Sequence, residues 1–178
     1  IYGFNTMLET MLKVVQPTHA LVAFDAGKTT FRTKMYDNYK GGRAKTAPEL
    51  SEQFPYVKEL LAARGIQTYE LANYEADDII GTLAKQAEEQ GFTTTIVTGD
   101  RDLTQFADDQ TTDSISKKGV SEIEHYTPAY VKEKMGVTPA QIIDIKGLQG
   151  DNSDNYPGVT GVGPKRAVDL VSTYGSID

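Results

Sequence analysis

The sequence contains no cysteine and no tryptophan, and it has two histidines among 178 residues. Without cysteine the chain can form no disulfide, no zinc–thiolate site and no cysteine nucleophile. With so few histidines, a histidine-based metal site or catalytic triad is not expected either. No run of about 18 apolar residues is present, so the sequence predicts no membrane span. Any chemistry must come from carboxylates, lysine, arginine, tyrosine or hydroxyl groups.

The composition fits one ordinary hydrophobic core with a small helical appendage, because 39% of the residues are hydrophobic. The chain starts at Ile1 rather than at methionine, within an amphipathic helical pattern. This start predicts that the sequence is a fragment of a longer protein. The absence of cysteine fits a cytoplasmic protein.

Basic residues are concentrated in one segment, although the net charge of the chain is −7. Residues 28–45 hold six basic residues and one acid, a local balance of six minus one, or +5. The residues are Lys28, Arg32, Lys34, Lys40, Arg43 and Lys45, with Asp37 as the acid. Tight acidic clusters beside such a strip are typical of a metal site next to a phosphate-binding surface. The alternative is a solvated basic face.

The first two thirds of the chain alternate between strand and helix patterns. Short apolar or β-branched stretches predict strands at residues 18–27, 66–71 and 92–102. Helical spacing predicts helices at residues 48–65 and 74–91. This order predicts an α/β fold with a parallel sheet and covering helices. Residues 28–48 are too long for a routine connection, so we expect a functional loop or arch there.

The pattern changes after about residue 113, where a short hairpin is predicted with Lys118 and Gly119 at its turn. Two Thr-Pro pairs, at Thr127 and Thr138, then predict helix starts. We therefore expect an α/β core over residues 1–120, with the arch at about 28–48, and a helical module over residues 121–178.

Six carboxylates are predicted to meet at the edge of the sheet where ligands bind, outside the carboxyl ends of the strands. They are Asp25, Glu75, Asp77, Asp78, Asp100 and Asp102. Glu75 and Asp78 can share a helix face, whereas Asp77 reaches the site only from a helix N-terminus. Oxygen ligands without histidine or cysteine indicate Mg²⁺ or Mn²⁺ rather than Zn²⁺. Taken singly, each group could instead complement a helix dipole or form an Asx turn.

Two features of the last 30 residues are weaker signals. Asp151 and Asp154 lie in "GDNSDNYPG", where Tyr156 replaces the glycine of a calcium loop and no glutamate closes it, so a calcium loop is rejected. In "GVTGVGPKRAV", Gly161 and Gly163 precede Lys165 and Arg166. This pattern is typical of a phosphate-binding turn before a helix, and a plain glycine-rich turn fits equally well.

Taken together, "AFDAGKTTFR", "YKGGR", "YEADDIIGTLA", "TGDRDLTQ" and "GDNSDNYPGVTGVGPKRA" resemble the 5′-nuclease domains of bacterial DNA polymerases of type I. These domains belong to the flap-endonuclease and 5′–3′ exonuclease family. The resemblance covers nearly the whole chain. It implies a PIN/resolvase-like nuclease core, a helical arch over the active site, and a C-terminal helix-three-turn-helix module of the helix-hairpin-helix type that binds duplex DNA.

The resemblance also implies roles for individual residues. The six carboxylates correspond to metal ligands of the family, and Asp151 and Asp154 to acids of its second metal region. Arg32, Tyr39, Lys40 and Arg43 match the DNA-binding arch, with Lys40 facing the scissile phosphate. The turn at Gly161 and Gly163, with Lys165 and Arg166, matches the part that binds the duplex backbone through a monovalent cation such as K⁺.

The implied function is hydrolysis of DNA phosphodiesters with two Mg²⁺ or Mn²⁺ ions, in replication and repair. Lys40 and Arg43 are expected to neutralise charge on the phosphate. The expected partners are branched, nicked or 5′-ended duplex DNA and covalently linked polymerase domains, in a monomeric bacterial cytoplasmic protein without membrane contact. Relatives begin with a further strand ending in Asp-Gly, so truncation at both ends is expected. The alternatives are a DNA-binding module without catalysis and a Mg²⁺-dependent phosphatase.

Overall fold

The computed structural model describes residues 1–117 and 122–178. Within these ranges the helices are α1 (Tyr2–Val15), α2 (Phe31–Met35), α3 (Pro48–Ser51), α4 (Phe54–Ala63), α5 (Ala76–Glu89), α6 (Pro128–Met135), α7 (Ile142–Gln149) and α8 (Pro164–Tyr174). The strands are β1 (Leu21–Ala23), β2 (Gln67–Tyr69), β3 (Thr94–Thr98), β4 (Thr111–Ser116), β5 (Ile123–Tyr126), β6 (Gly150–Asp151) and β7 (Tyr156–Pro157). Two 3₁₀ helices cover Arg101–Phe106 and Pro139–Gln141. No helix in the described ranges combines the length and apolar character needed to cross a membrane.

The predicted parallel pairing of strands is confirmed, but in the described ranges β1 to β5 lie in two separate sheets, and β6 and β7 form a third. β1 pairs with β2 in parallel, with Leu21 opposite Gln67. β3 pairs in parallel with β4, with Thr94 opposite Thr111. β1 and β3 both contact α5. Helix α5 therefore joins the two sheets and holds the ends of β1 and β3 near its own first turn.

The predicted hairpin is formed by β4 and β5, which pair antiparallel with Asp113 opposite Tyr126. Its predicted turn at Lys118 and Gly119 lies outside the described residues, as does the predicted domain boundary between residues 120 and 121. Because β4 also pairs with β3, the hairpin belongs to the sheet of the α/β core.

The largest hydrophobic cluster joins this hairpin to the C-terminal helices. Its buried members are Ala107, Ile115, Tyr126, Val131, Val137, Ile142, Ile145, Ala167 and Val171. A second cluster of Ala84, Ile96 and Leu103 lies between α5, β3 and the 3₁₀ helix after β3. Burial of these side chains fixes the C-terminal helices against the sheet, because transfer of apolar surface from water is the main stabilising term.

The first turn of α5 is held by a capping box, a common device at helix N-termini. Glu75 is the N-cap residue, and its backbone N–H donates to Asp78 Oδ2 at 2.9 Å. One turn later, a Cβ on Gly81 would lie 2.3 Å from Cζ of Phe106. Glycine therefore lets the 3₁₀ helix after β3 approach α5 closely, which brings Asp100 and Asp102 towards the start of α5.

Candidate metal centre and nucleic-acid interface

The carboxylate at the end of β1 is fixed to the start of α5. Asp25 Oδ1 accepts a hydrogen bond of 2.7 Å from the backbone N–H of Ala76, the first residue of that helix. Asp100 is the N-cap of the 3₁₀ helix after β3 and accepts from the N–H of Asp102 at 2.9 Å. Both acids therefore lie in defined positions beside α5.

Asp77, in the first turn of α5, lies among three other carboxylates. Burial, then the charge of Asp100, and also Asp25 and Glu75 raise the pKa of Asp77 to about 6, while Lys40 opposes the rise. The structure therefore brings these acids from three segments together. Helical spacing predicted that Asp77 points away from the face shared by Glu75 and Asp78 and reaches the site only from a helix N-terminus. Asp77 does lie beside the other acids at the N-terminus of α5.

Asp78 is instead engaged by the arch segment, residues 28–48. Arg32 Nη1 and Nη2 donate to the two oxygens of Asp78, each at 2.7 Å, a bidentate geometry typical of strong arginine–carboxylate pairs. Nη1 also donates to Glu75 Oε2 at 3.0 Å. These hydrogen bonds lower the pKa of Asp78 and raise that of Arg32. Asp78 is therefore neutralised by a protein cation in this conformation.

Glu75, which is 8% exposed, receives two further contacts from the arch segment. Tyr39 donates its hydroxyl hydrogen to Glu75 Oε2 at 2.9 Å. Burial and this hydrogen bond raise the pKa of Tyr39. The Lys40 ammonium donates to Glu75 Oε1. Both oxygens of Glu75 are thus occupied by side chains that we expected to contact DNA.

The tip of the arch segment also reaches the loop between β6 and β7. Arg43 Nη2 pairs with Asp154 Oδ1, and Arg43 Nε donates to the backbone oxygen of Ser153 at 3.1 Å. Asp154 is therefore neutralised by an arch residue. Asp151, the last residue of β6 before this loop, has a different cationic partner.

Lys146, on α7, is a residue that the sequence analysis missed. Its ammonium pairs with Asp102 Oδ1 at 2.8 Å and with Asp151 Oδ2. For Asp151, burial opposes ionisation, but the hydrogen bonds from Lys146 and Ser153 outweigh it and lower its pKa. For Asp102, burial outweighs the same lysine and raises the pKa. Lysine is common in the last turn of a helix because it interacts favourably with the helix dipole. The sequence therefore gave no sign that Lys146 has a further role.

The five acids that were predicted to form one cluster therefore lie in three different environments. These acids are Asp25, Glu75, Asp78, Asp100 and Asp102. Asp25, Asp77, Asp100 and Glu75 are neighbours, Asp78 pairs with Arg32, and Asp102 shares Lys146 with Asp151. In the part of the chain that the structure describes, no three or more acidic, histidine or cysteine side chains form a group that could hold a metal. The donor chemistry still fits a hard divalent ion, because every donor is a carboxylate and Asp77 lies in an excess of negative charge.

The glycine-rich turn lies at the start of α8, in the C-terminal module. Gly161 has φ of +81°, and Gly163 is the N-cap residue of α8. A Cβ on either glycine would meet open space. Lys165 and Arg166, in the first turn of α8, are exposed. Their proposed contact with a DNA backbone stays a prediction, as do the metal and DNA roles of the other residues.

Comparison with known proteins identifies relatives over the whole chain. Residues 1–136 match the model of the 5′-3′ exonuclease N-terminal resolvase-like domain, and residues 137–178 match that of the 5′-3′ exonuclease C-terminal SAM fold. DNA polymerase I of Streptococcus pneumoniae is 61% identical over 178 residues, and DNA polymerase I of Bacillus subtilis is 59% identical over 178. All of this chain aligns, and it spans about a fifth of the length of these relatives.

Among solved structures, the T5 D15 protein co-crystallised with metal ions superimposes with a TM-score of 0.82 and 25% identity. The match covers 97% of this chain and 67% of that protein. The expected fold class, a resolvase-like nuclease core with a C-terminal helical module, is therefore confirmed.

Proposed function

Because the chain belongs to the 5′-3′ exonuclease family, we propose that it hydrolyses DNA phosphodiesters in a reaction that requires divalent metal. The observation that carries this proposal is the meeting of carboxylates from three segments beneath basic side chains of the arch segment. Acids for metal and cations for phosphate, side by side, are what phosphodiester hydrolysis needs. A phosphatase acting on small molecules would have no use for the second module with its basic helix start.

The metal proposed for this site is Mg²⁺ or Mn²⁺, as two ions, because the donors are all carboxylates. The residues proposed to hold them are Asp25, Glu75, Asp77, Asp78, Asp100 and Asp102, with Asp151 and Asp154 in a second region. When bound, such ions activate water and stabilise the leaving oxygen. The T5 D15 protein, which has the same fold, was co-crystallised with metal ions, and this supports the proposal.

The basic and glycine residues are proposed to bind the DNA. Lys40 and Arg43 would neutralise charge that develops on the phosphate, and Tyr39 would stack on an unpaired base. Gly161 and Gly163 would approach the duplex backbone closely, with K⁺ at their turn. Lys165 and Arg166 would hold the phosphates, and Arg32 would orient the arch segment. Contacts of this kind select DNA structure rather than base sequence.

The wider role is proposed from the relatives, of which this chain spans about a fifth. We expect it to act in replication and repair, covalently linked to polymerase domains, as a monomeric cytoplasmic protein of a bacterium. The substrates would be branched, nicked or 5′-ended duplexes. The division into a core over residues 1–120 and a module over residues 121–178 is part of the proposal.

The test is a nuclease assay on 5′-flap, nicked and single-stranded DNA, with and without Mg²⁺ or Mn²⁺. We expect metal-dependent cleavage near the flap junction, abolished by Asp100→Ala and unaffected by Asp109→Asn. Asp109 is exposed and loses the same charge. DNA binding without cleavage at any metal concentration would favour the binding-module alternative. Hydrolysis of a small phosphomonoester without DNA cleavage would favour the phosphatase.

A further inference from the structure

Two aromatic rings lie against each other near the start of the arch segment. Phe31 is the first residue of α2, and Tyr74 lies just before Glu75, the N-cap residue of α5. The two ring centroids are 5.7 Å apart, and the ring planes are tilted by 56°. Tyr74 is 42% exposed, so a large part of this side chain is open to solvent. The pair therefore presents an aromatic surface beside the acids at the start of α5.

The backbone holds the two segments that carry these rings. Thr30 and Asn73 form an isolated parallel bridge, and the N–H of Phe31 donates to the backbone oxygen of Asn73 at 3.1 Å. The guanidinium group of Arg32 lies over the Phe31 ring, 4.5 Å from its centroid. Phe31 is therefore in contact with both Arg32 and Tyr74, so the exposed ring of Tyr74 has a support that the backbone fixes.

A positive charge lies beside the aromatic pair. Lys34 is exposed, and its Nζ donates to Asn73 Oδ1 at 2.9 Å. Because this acceptor is an uncharged amide, the bond leaves the charge of Lys34 unneutralised, whereas Arg32 and Lys40 are each paired with a carboxylate. An exposed ring next to an available ammonium group fits a nucleotide, which combines a flat base with a negatively charged phosphate.

The bases that this surface can accept are unpaired ones. Inside a duplex, both faces of each base are covered by its neighbours, so no face is open to an aromatic side chain. In a single strand the faces are accessible, and stacking on an aromatic ring tolerates any base. An apolar peptide, by contrast, would make no use of Lys34 or of the excess of basic residues over residues 28–45. The chemistry of the surface therefore favours single-stranded DNA.

We propose that Tyr74, supported by Phe31, stacks on an unpaired base in the single-stranded part of a DNA substrate, and that Lys34 binds the adjoining phosphate. This inference rests on the proposed DNA substrate and adds a binding site for its unpaired arm. The site is separate from Tyr39, whose hydroxyl is bonded to Glu75. A substrate with a single-stranded arm thus makes contacts here that a blunt duplex lacks.

The test measures DNA binding by fluorescence anisotropy in EDTA, so that cleavage does not interfere. Three DNAs share one duplex: one has a blunt end, one a 5′ overhang of thymidines, and one the same overhang built from abasic residues, which keeps the phosphates. Stacking of one base on an aromatic side chain changes affinity by about five- to 150-fold. Wild type should prefer the thymidine overhang to the abasic one by about this factor. Equal affinity for the two overhangs would overturn the proposal.

Substitutions of Tyr74 test whether this ring causes the preference. Tyr74→Leu keeps an apolar contact with Phe31 and removes the aromatic face, so affinity for the thymidine overhang should fall about fivefold or more, with no change for the abasic overhang. Tyr74→Ala should show the same loss, and Tyr74→Phe should bind as wild type does. Tyr56→Ala, which removes a tyrosine on α4 that is 55% exposed, should also bind as wild type does. If Tyr74→Leu and Tyr74→Ala bind both overhangs like wild type, the ring serves packing alone and the proposal is overturned.

Salt dependence separates the base contact from the phosphate contact. Lys34→Met keeps the length of the side chain and removes its charge. The plot of log affinity for the thymidine overhang against log salt concentration should therefore lose about 0.7 of its slope. Tyr74→Leu should leave the slope unchanged, since an uncharged ring releases no counterions. An unchanged slope in Lys34→Met would overturn the phosphate contact.

These measurements also separate the inference from the proposed function. If the overhang binds with the expected dependence on Tyr74 but no DNA is cleaved with Mg²⁺ or Mn²⁺, the stacking site stands and the proposed hydrolysis fails. If DNA is cleaved and Tyr74→Leu binds the overhang as tightly as wild type, the proposed function stands and the stacking site fails. Wild-type protein that binds none of the three DNAs would overturn both.

Discussion

Asp113 should make the stability of this chain fall as the pH rises. It lies on β4 between β3 and β5, is 0% exposed, and its two carboxylate oxygens have no hydrogen-bond partner in the described residues. Its partner on β5 is Tyr126, whose hydroxyl donates to Glu124. Its partner on β3 is Ile96. Among the residues that the structure describes, no hydrogen-bond donor stabilises a negative charge on these oxygens.

The expected magnitude follows from the pKa. Burial, and then the charge of Asp108, raise the pKa of Asp113 to about 7. An unfolded aspartate titrates near about 3.9, and each pKa unit corresponds to about 1.4 kcal/mol, so the ionised form costs the fold about 4 kcal/mol. The folded chain holds this proton more tightly than the unfolded chain. The stabilisation is therefore complete below about pH 4 and is lost as the pH rises through about 7.

Asp113→Asn keeps the size of the side chain and removes the titration. Between pH 5 and pH 8, the free energy of unfolding of the variant relative to wild type should rise by about 3 kcal/mol. For a chain of this length that corresponds to a relative shift of roughly 6–12 °C in melting temperature. Urea unfolding at several pH values measures the difference, and Asp109→Asn serves as the exposed control. Parallel pH profiles of wild type and Asp113→Asn would refute the reasoning.

Three further outcomes are expected. Mn²⁺ at a hundredfold excess over its Kd should stabilise the chain by about 2.7 kcal/mol, and the stabilisation should be smaller in Asp100→Ala. A melting temperature that does not change with Mn²⁺ concentration would contradict the proposed metal site. Gly81→Ala should lower the free energy of unfolding by about 1–3 kcal/mol, because the added Cβ clashes with Phe106. Gly3→Ala, at an open position of α1, should raise it by up to about 1 kcal/mol in the same urea assay. Lys146→Met should lower the free energy of unfolding by about 1–3 kcal/mol at pH 7, because two carboxylates lose their counter-ion. This destabilisation should become smaller at low pH. A destabilisation that does not depend on pH would indicate lost packing alone.

The ends of several helices were predictable because they depend on local chemistry, although the helix predicted over residues 48–65 is interrupted and forms α3 and α4. Thr127 accepts from the N–H of Tyr130 at the start of α6, and Gly136 ends that helix with φ of +78°. Gly91, with φ of +81°, follows the end of α5 as the pattern predicted. Such signals involve residues within one turn of each other, so the sequence states them directly.

The sheet arrangement and the hairpin's partner were less predictable, because they depend on contacts that are distant in sequence. The hairpin was predicted without a neighbouring strand, and β4 pairs in parallel with β3 across the short 3₁₀ connection. Period-2 alternation identifies a strand without naming its neighbours. The role of Lys146 was missed for the same reason, since Asp102 lies on a different element and becomes its neighbour only when α7 packs against the 3₁₀ helix.

The crowding of Glu75, Asp77 and Asp78 shows where an argument from sequence must stop. The sequence analysis assigned these acids to bound metal, with the helix dipole as the alternative, and assigned the basic strip to phosphate. The structure shows a contact that neither interpretation included, since Arg32 pairs with Asp78 and Lys40 pairs with Glu75. Asp77, however, remains among carboxylates, with its pKa raised by them and by burial. The protein's own cations therefore neutralise the edges of the cluster and leave its centre negative. At the proposed metal site, a divalent ion at that centre would compete with Lys40 and Arg32 for the oxygens of Glu75 and Asp78.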